Sequence, residues 1–376
     1  MVKFLHTADW QLGMTRHFLA GEAQARFDGA RIDAIRALGK LAHRENCSFV
    51  VVCGDVFESN QVGRDIVWRA FDAMAETPEV SFFLLPGNHD PLDASSVYKS
   101  RAFTERQPAN VVVLGSNEPT EIAPSVELAP APWFSKRPLS DLVAGCCDGL
   151  SNSAAIRIVV GHGACDGLSP DPSNPALIVL SSLEEKLEDG LIHYVALGDR
   201  HSTTEVGQTG RIWYSGAPEP TDYDEVDPGN ALVVELETDR ISVSSRRVGA
   251  WRFVRETREL TGDADINALD EWLGDIGGKD RTILKLALKG QLSLAQHARL
   301  EALLEGCAAV LAALENWDSR SDLVVLPDDA DLSTLDLSGF AREALQDLSE
   351  QASQGEQAQT ARDALALLHR LAAAET

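Results

Sequence analysis

The chain has no long apolar run and few cysteines. None of its segments approaches the ~18 consecutive apolar residues that would indicate a membrane span. Its six cysteines include no CxxC pair, which argues against a cysteine zinc site and is typical of reduced thiols in a reducing compartment. The start, MVKFLHTADW, lacks the apolar core and the small-residue cleavage site of a signal peptide. We therefore expect a cytoplasmic protein with no membrane segment.

Basic residues are also scarce, with 33 Lys and Arg against 58 Asp and Glu, for a net charge of −25. A protein that holds nucleic acid by phosphate neutralisation alone is expected to be basic. Two interpretations stay open for a nucleic-acid enzyme: bound divalent cations and a local basic patch hold the substrate, or a partner grips the duplex. By itself, an acidic balance indicates only solubility.

The length of 376 residues and the hydrophobic content of 44% predict one large domain with appendages. We place the core at residues 1–250, closed by a hairpin. A small strand-helix-strand domain follows at residues 251–327, with its helix from about Ser293 to Leu314. Residues 328–376 form an Asp-rich linker and a helical tail.

Five apolar strands each run into a loop rich in Gly, Asp, Asn and His. Four of these strands are nearly continuous apolar runs, which is typical of strands buried on both faces, and this favours a layered α/β fold. Active sites of such folds lie at the carboxyl ends of the strands, so we expect the five loops to converge. The strands are Lys3–Thr7, Phe49–Cys53, Phe82–Leu85, Ile156–Val160 and His193–Leu197.

The five loops carry oxygen and nitrogen donors suited to divalent cations. Two such ions about 3.5–4 Å apart can stabilise a phosphoryl group during hydrolysis. Singly, each residue has an ordinary interpretation, such as a helix cap, a turn residue or a turn histidine; their joint order favours a metal site. His89 is placed to donate a proton to the leaving oxygen without binding metal. The candidate ligands are Asp9, Gln11, Asp55, Asn88, His162, Asp199 and His201.

This order of motifs resembles the calcineurin-like metallophosphoesterases. The flanking residues His6–Asp9, Gly54–Phe57 and Tyr214–Glu219 are similar to those of SbcD-type DNA repair nuclease subunits, the meiotic-recombination-eleven nuclease family. The resemblance covers about residues 1–220. It implies a core of β-sheets flanked by helices, a small α+β capping domain and a helical C-terminal tail.

The resemblance also implies two metal sites bridged by Asp55. One ion would be held by Asp9, Gln11, Asp55 and His201, and the other by Asp55, Asn88, His162 and Asp199. His89 matches the proton-donating histidine of the family. Gln11 and Asp199 stand where the family has histidine, and these oxygen ligands favour Mn²⁺ or Mg²⁺ over Zn²⁺.

The function expected from this resemblance is that of a metal-dependent DNA exo/endonuclease subunit that forms a homodimer and works with a SbcC-type coiled-coil ATPase. The alternatives are a small-molecule phosphodiesterase and a catalytically weakened DNA-binding subunit. Arg16, His17 and Arg200 are candidates for contacts with the substrate, although a solvated helix face is the ordinary interpretation of Arg16 and His17.

The tail is the expected docking element for the ATPase. Short helices on a tether are marginal alone in water, and an amphipathic helix pair can dock its apolar face on another protein. The alternative is that these helices fold back on the core. The apolar residues concerned are Leu345, Leu348, Leu365, Leu367, Leu368 and Leu371.

Overall fold

The computed structural model describes residues 1–169, 171–325 and 340–353, together with residues 360, 361, 364, 365 and 367. These residues divide into two units. The first comprises Met1–His17 and Gln24–Trp251, and the second comprises Phe18–Ala23 and the described residues from Arg252 onward. The division falls one residue after the predicted boundary at 250/251. Placement of Phe18–Ala23 in the second unit was not predicted.

The first unit contains two six-stranded sheets and five helices. Its helices are α1 (Glu22–Arg44), α2 (Arg64–Ala75), α3 (Arg101–Thr104), α4 (Leu142–Asp148) and α5 (Leu180–Glu188), with a 3₁₀ turn at Val97–Lys99. Its strands are β1 (Val2–Thr7), β2 (Phe49–Val52), β3 (Ser81–Leu84), β4 (Val111–Val113), β5 (Thr120–Ala123), β6 (Val126–Pro130), β7 (Ile156–His162), β8 (Tyr194–Gly198), β9 (Thr204–Val206), β10 (Ile212–Tyr214), β11 (Asn230–Leu236) and β12 (Ile241–Arg247). All five predicted strands are confirmed.

The strand order brings four parallel strands together in each sheet. The first sheet runs β12-β11-β1-β2-β3-β4, with β1 to β4 parallel to one another. The second sheet runs β5-β6-β7-β8-β10-β9, with β6, β7, β8 and β10 parallel. The predicted hairpin is the antiparallel pair of β11 and β12.

The two sheets pack face to face, and helices cover their outer faces. One buried cluster joins Phe4 and Val51 of the first sheet to Ile158 and Val160 of the second. A second cluster lies between the first sheet and helices α1 to α3, and a third lies between the second sheet and helices α4 and α5. The near-continuous apolar runs follow from this layering, because both faces of each central strand are buried.

Helix α1 forms where the sequence has apolar side chains at three-residue intervals. Ile32, Ile35, Leu38 and Leu41 are all buried in the cluster against the first sheet. Their spacing places them on one face of the helix. The opposite face is charged, and its basic last turn contains His43 and Arg44.

His6 is a polar contact between the two sheets. Its Nε2 lies 3.1 Å from the carbonyl oxygen of Leu197, and its Nδ1 lies 3.0 Å from the Tyr194 hydroxyl. Burial lowers the pKa of His6 to about 3, although the hydrogen bond to Leu197 opposes this shift. The imidazole is therefore neutral, and it fixes the ends of β1 and β8 relative to each other.

The second unit is a four-stranded parallel sheet with two helices on one face. Its elements are β13 (Arg252–Leu260), α6 (Asp263–Asp275), a 3₁₀ turn at Lys279–Arg281, β14 (Thr282–Leu292), α7 (Leu294–Ala308), β15 (Ala313–Asn316), β16 (Asp322–Val325) and α8 (Phe340–Ser353). Strand β14 is central and pairs with the other three. A buried leucine cluster lies between this sheet and α6 and α7.

The predicted helix from Ser293 to Leu314 was too long. Ser293 is the N-cap and forms a capping box with Gln296, but α7 ends at Ala308. Ala313 and Leu314 instead pair with β14. The edge of β14 offers backbone hydrogen bonds that local sequence pattern does not reveal, so tertiary pairing overrode the helical pattern.

In the tail, described residues pack within the second unit. Leu345 and Leu365 are buried in a cluster with Leu294 and Val325. Phe340 and Leu367 are exposed, at 83% and 51%. Leu368, Leu371 and the Asp-rich linker lie outside the described residues.

The structure also bears on the cysteines and on membrane segments. All six cysteines are free, and five of them are buried. Among the described residues, no helix combines the length and the apolar composition needed to cross a membrane.

Leu128→Ala should destabilise the first unit strongly. Leu128 is fully buried between the two sheets, and truncating a buried leucine costs about 2–5 kcal/mol because of lost burial and the remaining cavity. Urea unfolding measures the change. Leu139→Ala, at a leucine that is 88% exposed, is the matched control and should shift stability by less than about 0.5 kcal/mol. Equal effects of the two variants would contradict the layered core.

Candidate metal centre

The carboxyl edges of the two sheets meet at one point of the first unit. Gly54 and Gly198 permit this approach. A side chain on Gly198 would collide with the carbonyl oxygen of Cys53, and one on Gly54, which has φ of +88°, would collide with the His162 ring. Glycine is therefore required at both positions, and the loops after β1, β2, β3, β7 and β8 converge as expected.

Asp9, Asp55 and His162 form the buried centre of this convergence. One potential ligand atom from each lies within 4.8 Å of the others. His162 Nδ1 lies 2.8 Å from the carbonyl oxygen of Cys53. Because a carbonyl only accepts, Nδ1 carries the proton. His162 Nε2 therefore faces the carboxylates, at 3.5 Å from Asp55 Oδ1 and 3.7 Å from Asp199 Oδ1.

Two side-chain amides border the carboxylates. Gln11 Nε2 donates to Asp55 Oδ2 at 3.2 Å, while Gln11 Oε1 is buried without a hydrogen-bond partner. Asn88 Oδ1 lies 2.8 Å from His162 Nε2 and faces only acceptors. Reversing the Asn88 amide would let its nitrogen donate to both Asp55 oxygens and to His162 Nε2.

This donor set fits a divalent cation. Buried oxygen atoms are normally hydrogen-bonded. Gln11 Oε1 is buried without a partner, so it is suited to contact a positively charged group. Asn88 Oδ1, the Asp55 carboxylate and His162 Nε2 also converge here: His162 Nε2 lies 2.8 Å from Asn88 Oδ1 and 3.5 Å from Asp55 Oδ1. Carboxylate, amide and imidazole ligands of this kind bind Mn²⁺ and related ions.

Asp199 and His201 complete the predicted set. The backbone N–H of Asp199 lies 3.1 Å from both oxygens of Asp9. His201 Nδ1 lies 2.6 Å from Thr221 Oγ1 and 3.1 Å from Glu225 Oε1. These contacts engage Nδ1, so Nε2 is the atom left for a ligand, and partners of this kind orient metal-binding histidines.

Four of the predicted ligands have left-handed backbone conformations. The φ angles are +53° at Asp9, +51° at Gln11, +52° at Asp55 and +95° at Asp199. Positive φ is uncommon for residues other than glycine, and such strain concentrates at functional sites. Backbone bonds hold these turns: Asp9 N donates to Gly54 O at 3.1 Å, and Gln11 N donates to Asp55 O at 3.0 Å.

His89 lies beside the centre with its ring half exposed. Its backbone N–H donates to Asp55 Oδ1 at 2.9 Å, and its Nδ1 lies 3.0 Å from the carbonyl oxygen of Glu58. Nδ1 therefore donates to that carbonyl. His89 Nε2 remains available, 4.0 Å from Asp55 Oδ2.

Burial and charge interactions together raise the pKa values of three buried groups. Burial raises the pKa of Asp9 to about 7, against the lowering effect of His201 and His162. Burial lowers the pKa of His162, but Asp55, Asp9 and Asp199 outweigh it and raise the value to about 9. Burial likewise lowers the pKa of His201, while the hydrogen bond to Glu225 and the carboxylates Asp9 and Asp55 raise it to about 9. A cation would replace the protons that these groups hold.

Sequence reasoning missed the structural role of Asp90. Its carboxylate accepts from Gly87 N at 2.7 Å, Phe57 N at 2.9 Å and the Tyr98 hydroxyl at 2.7 Å. Burial and the charge of Asp55 raise its pKa to about 6. Asp90 thus ties the loop after β3 to the loop after β2. Its position directly after Asn88 and His89 was the available signal.

Arg31 is a second missed residue. It is buried on the core face of α1, and its guanidinium donates to the carbonyl oxygens of Trp10 and Pro220, both at 3.2 Å. Burial lowers its pKa to about 10, while Glu219 opposes the shift. Arg31 therefore joins the loop that carries Gln11 to the segment before Thr221. A charged residue within the apolar stripe of a helix was the signal.

The predicted substrate contacts have partners within the protein. Arg16 Nη2 donates to the carbonyl oxygen of Thr221, and Arg200 Nε donates to Thr204 Oγ1 at 2.8 Å. His17 is exposed. Their role in substrate binding stays a prediction.

Comparison with known proteins gives a family match for most of the first unit. The model of the calcineurin-like phosphoesterase family matches residues 2–234. The SbcD subunit of the SbcCD nuclease of Rhodobacter capsulatus is 23% identical over 267 residues, which cover 60% of this chain and 64% of that relative. The match therefore spans less than two thirds of the relative's length.

Solved structures with some likeness include a dimetal phosphatase from Danio rerio, at 15% identity and a TM-score of 0.41, covering 66% of this chain and 96% of that one. The protein TT1561 of Thermus thermophilus is 9% identical with a TM-score of 0.41, covering 66% of this chain and 99% of that one. Likenesses this weak carry no argument about function.

Asp55→Ala should remove metal binding at this centre. Asp55 lies against Gln11, Asn88, His89 and His162, so its loss deprives both expected ion positions of a charged ligand. Elemental analysis after dialysis against Mn²⁺ measures the content. The control is Asp65→Ala, at an exposed aspartate in the first turn of α2, which should keep the parental content. Full metal content in Asp55→Ala would refute the assignment.

Metal binding should release protons, and more of them at pH 6.5 than at pH 8.5. In the metal-free protein the pKa values are about 7 for Asp9 and about 9 for His162 and His201. Below these values the groups hold protons that a cation must displace, so affinity rises with pH up to about 9. Calorimetry in two buffers of different ionisation enthalpy counts the protons. An uptake of protons, or a release independent of pH, would contradict this electrostatic description.

Proposed function

The chain belongs to the calcineurin-like phosphoesterase family, as a metal-dependent hydrolase, and we propose that it is the nuclease subunit of a DNA-processing complex. The observation that carries the proposal is the buried group of Asp9, Asp55 and His162 with His89 beside it. This arrangement suits hydrolysis of a phosphodiester, which needs charge stabilisation and a proton donor for the leaving oxygen.

Two ions, most consistent with Mn²⁺, would share Asp55. Asp9, Gln11 and His201 would complete one position, and Asn88, His162 and Asp199 the other. The bound ions would stabilise charge on the phosphoryl oxygens and lower the pKa of water. Glu225 and Thr221 hold His201 in place, and the carbonyl oxygen of Cys53 holds His162.

His89 is the proposed proton donor. Its Nδ1 is fixed by the carbonyl oxygen of Glu58, and its ring is 41% exposed, so Nε2 can reach a substrate. The carboxylates of Glu58 and Asp55 lie 3.9 and 4.0 Å from the ring nitrogens.

Two observations support DNA over a small phosphoester. The relative from Rhodobacter capsulatus is named as a nuclease subunit. The chain also contains a second unit with its own buried leucine cluster, which hydrolysis of a small molecule does not require. A catalytically weakened subunit is the alternative, and it is favoured by the bond from Gln11 Nε2 to Asp55, because that donor competes with a cation for the carboxylate.

A SbcC-type ATPase is the proposed partner, through the tail. Leu345 and Leu365 are buried within the second unit and cannot face a partner. Phe340 and Leu367 are exposed apolar side chains on the same segment. We therefore propose Leu367, one of the predicted tail leucines, and Phe340 as docking residues; Leu368 and Leu371 stay predictions.

His89→Ala should lower DNA cleavage by about 10²–10⁴-fold because it removes a general acid. The substrates are single-stranded DNA, duplex DNA and bis(p-nitrophenyl) phosphate, each with Mn²⁺, and metal content should be unchanged. His43→Ala, at a histidine on α1 that is 67% exposed, is the matched control. Parental cleavage by His89→Ala would make His89 structural. A parent protein that binds metal but hydrolyses none of the substrates would favour the weakened subunit.

Replacing both Phe340 and Leu367 with Asp should abolish co-purification with the ATPase and leave cleavage of single strands intact. Charged side chains at exposed positions disrupt an apolar contact without opening the buried cluster of Leu345 and Leu365. Val310→Asp, at an exposed valine of the second unit, is the control. If the double variant still holds the ATPase, these residues are not the docking element.

A further inference from the structure

The loop after β6 leaves its sheet beside the metal centre. Trp133 Nε1 donates to the carbonyl oxygen of His162 at 2.8 Å. Trp133 N donates to Pro86 O at 3.1 Å, and Leu92 N donates to Trp133 O at 2.7 Å. Trp133 is thus held between the end of β7 and the loop that carries Asn88 and His89. The chain becomes exposed at the next residue.

The exposed segment, residues 134–140 with the sequence FSKRPLS, combines an aromatic side chain with two cations. Phe134 is 50% exposed, and Lys136 and Arg137 are exposed. The segment has no acidic residue. The next acidic residue along the chain is Asp141, whose carboxylate already accepts hydrogen bonds from the backbone N–H groups of Val143, Ala144 and Val179.

Lys136 and Arg137 differ in their contacts from Arg16 and Arg200, the two arginines predicted from the sequence to bind substrate. Arg16 and Arg200 donate to groups within the first unit. Within the part of the chain that the structure describes, neither Lys136 nor Arg137 has an ion-pair partner. In a chain with 58 acidic and 33 basic side chains, two adjacent unpaired cations that follow Trp133 by three and four residues are suited to attract a polyanion.

We propose that Phe134, Lys136 and Arg137 bind a single strand of the nucleic-acid substrate next to the cleaved phosphodiester. Phe134 stacks on a base, and the two cations neutralise flanking phosphates; proteins that bind single strands combine these two features. This inference rests on the proposed nuclease function. It also identifies a local basic patch in an acidic chain.

The distances allow this role. Arg137 is four residues from Trp133, a span of at most about 14 Å, and the Trp133 and His162 ring centroids are 5.9 Å apart. Phosphates of one strand repeat about every 3.4 Å along a duplex. The backbone of Arg137 therefore lies within roughly 20–25 Å of the His162 ring, which is a span of about six to seven phosphates at that spacing.

Apolar side chains near this loop raise the alternative of a protein-docking surface. Leu139, Leu168 and Val179 are exposed, and Asp141 connects the loop after β6 to Val179. The unpaired cations favour a polyanion instead, because an apolar docking face does not require them.

The first test is binding of a fluorescently labelled oligothymidine by the full chain with Mn²⁺, in a His89→Ala background that slows cleavage of the strand. Lys136→Ala combined with Arg137→Ala should reduce the slope of log affinity against log salt by about 1.4, since each phosphate contact on a single strand contributes about 0.7. Phe134→Ala should weaken binding by about 5- to 150-fold, and Phe134→Trp should restore it, because stacking needs only an aromatic face.

The matched control is Lys40→Ala combined with Arg44→Ala. These exposed cations lie near the end of α1, which precedes the amino end of β2. Their loss changes the net charge by the same amount as the loss of Lys136 and Arg137. This pair should leave the salt slope at the parental value.

The second test compares cleavage of single-stranded DNA with hydrolysis of bis(p-nitrophenyl) phosphate, with His89 intact. The ratio of the two rates should fall at least about 5-fold in the loop variants, because the small ester carries no flanking phosphates or bases. Loop variants that match the control pair in both tests overturn the inference and leave the nuclease proposal standing. Loop variants that bind DNA normally but lose the ATPase identify a docking surface and also overturn it.

The parent protein separates the two proposals. A parent that binds the strand without cutting it overturns the nuclease proposal alone, and the salt slope still decides the role of the loop. A parent that hydrolyses the small ester but neither binds nor cuts DNA overturns both.

Discussion

The carboxylates of Asp9 and Asp55 are almost fully excluded from water where the two sheets meet. Removing a carboxylate from water costs several kcal/mol per ion in real proteins unless opposite charge and hydrogen bonds offset it. The charged side chains that act on Asp9 are His201, His162, Asp55 and Asp199. With Asp9 included, the group has three carboxylates and two imidazoles, so its negative charges outnumber its positive charges. A bound cation relieves this imbalance, so the electrostatics of the fold themselves favour metal.

A charge cluster of this kind must be held rigidly, because its groups repel one another when the cation is absent. The structure supplies fixed donors for that purpose. Asp90 joins the loops after β2 and β3, Arg31 joins the loop after β1 to the segment before Thr221, and Trp133 holds the end of β7. The left-handed turns at the ligands persist because these surrounding bonds over-determine them.

Prediction from the sequence worked where one local pattern had one structural meaning. The continuous apolar runs of β2, β3, β7 and β8 predicted strands buried on both faces, and the polar residues after them lie together at the carboxyl ends of the strands. It failed where distant pairing decided the outcome. Ala313 joined β14 instead of prolonging α7.

The sequence by itself determined the strands, the residue types at their ends and the family of the core, since these depend on local periodicity and on motifs of adjacent residues. Tertiary structure alone decided which atoms face one another: Gln11 Oε1 without a partner, His162 Nε2 turned to the carboxylates, and Arg31 buried beneath the loops. It also decided that Arg16 and Arg200 donate to groups of the first unit, whereas Lys136 and Arg137 have no ion-pair partner among the described residues. The physical reason is that hydrogen bonding, burial and charge pairing depend on groups far apart in the chain, and their contacts exist only after the sheets have packed.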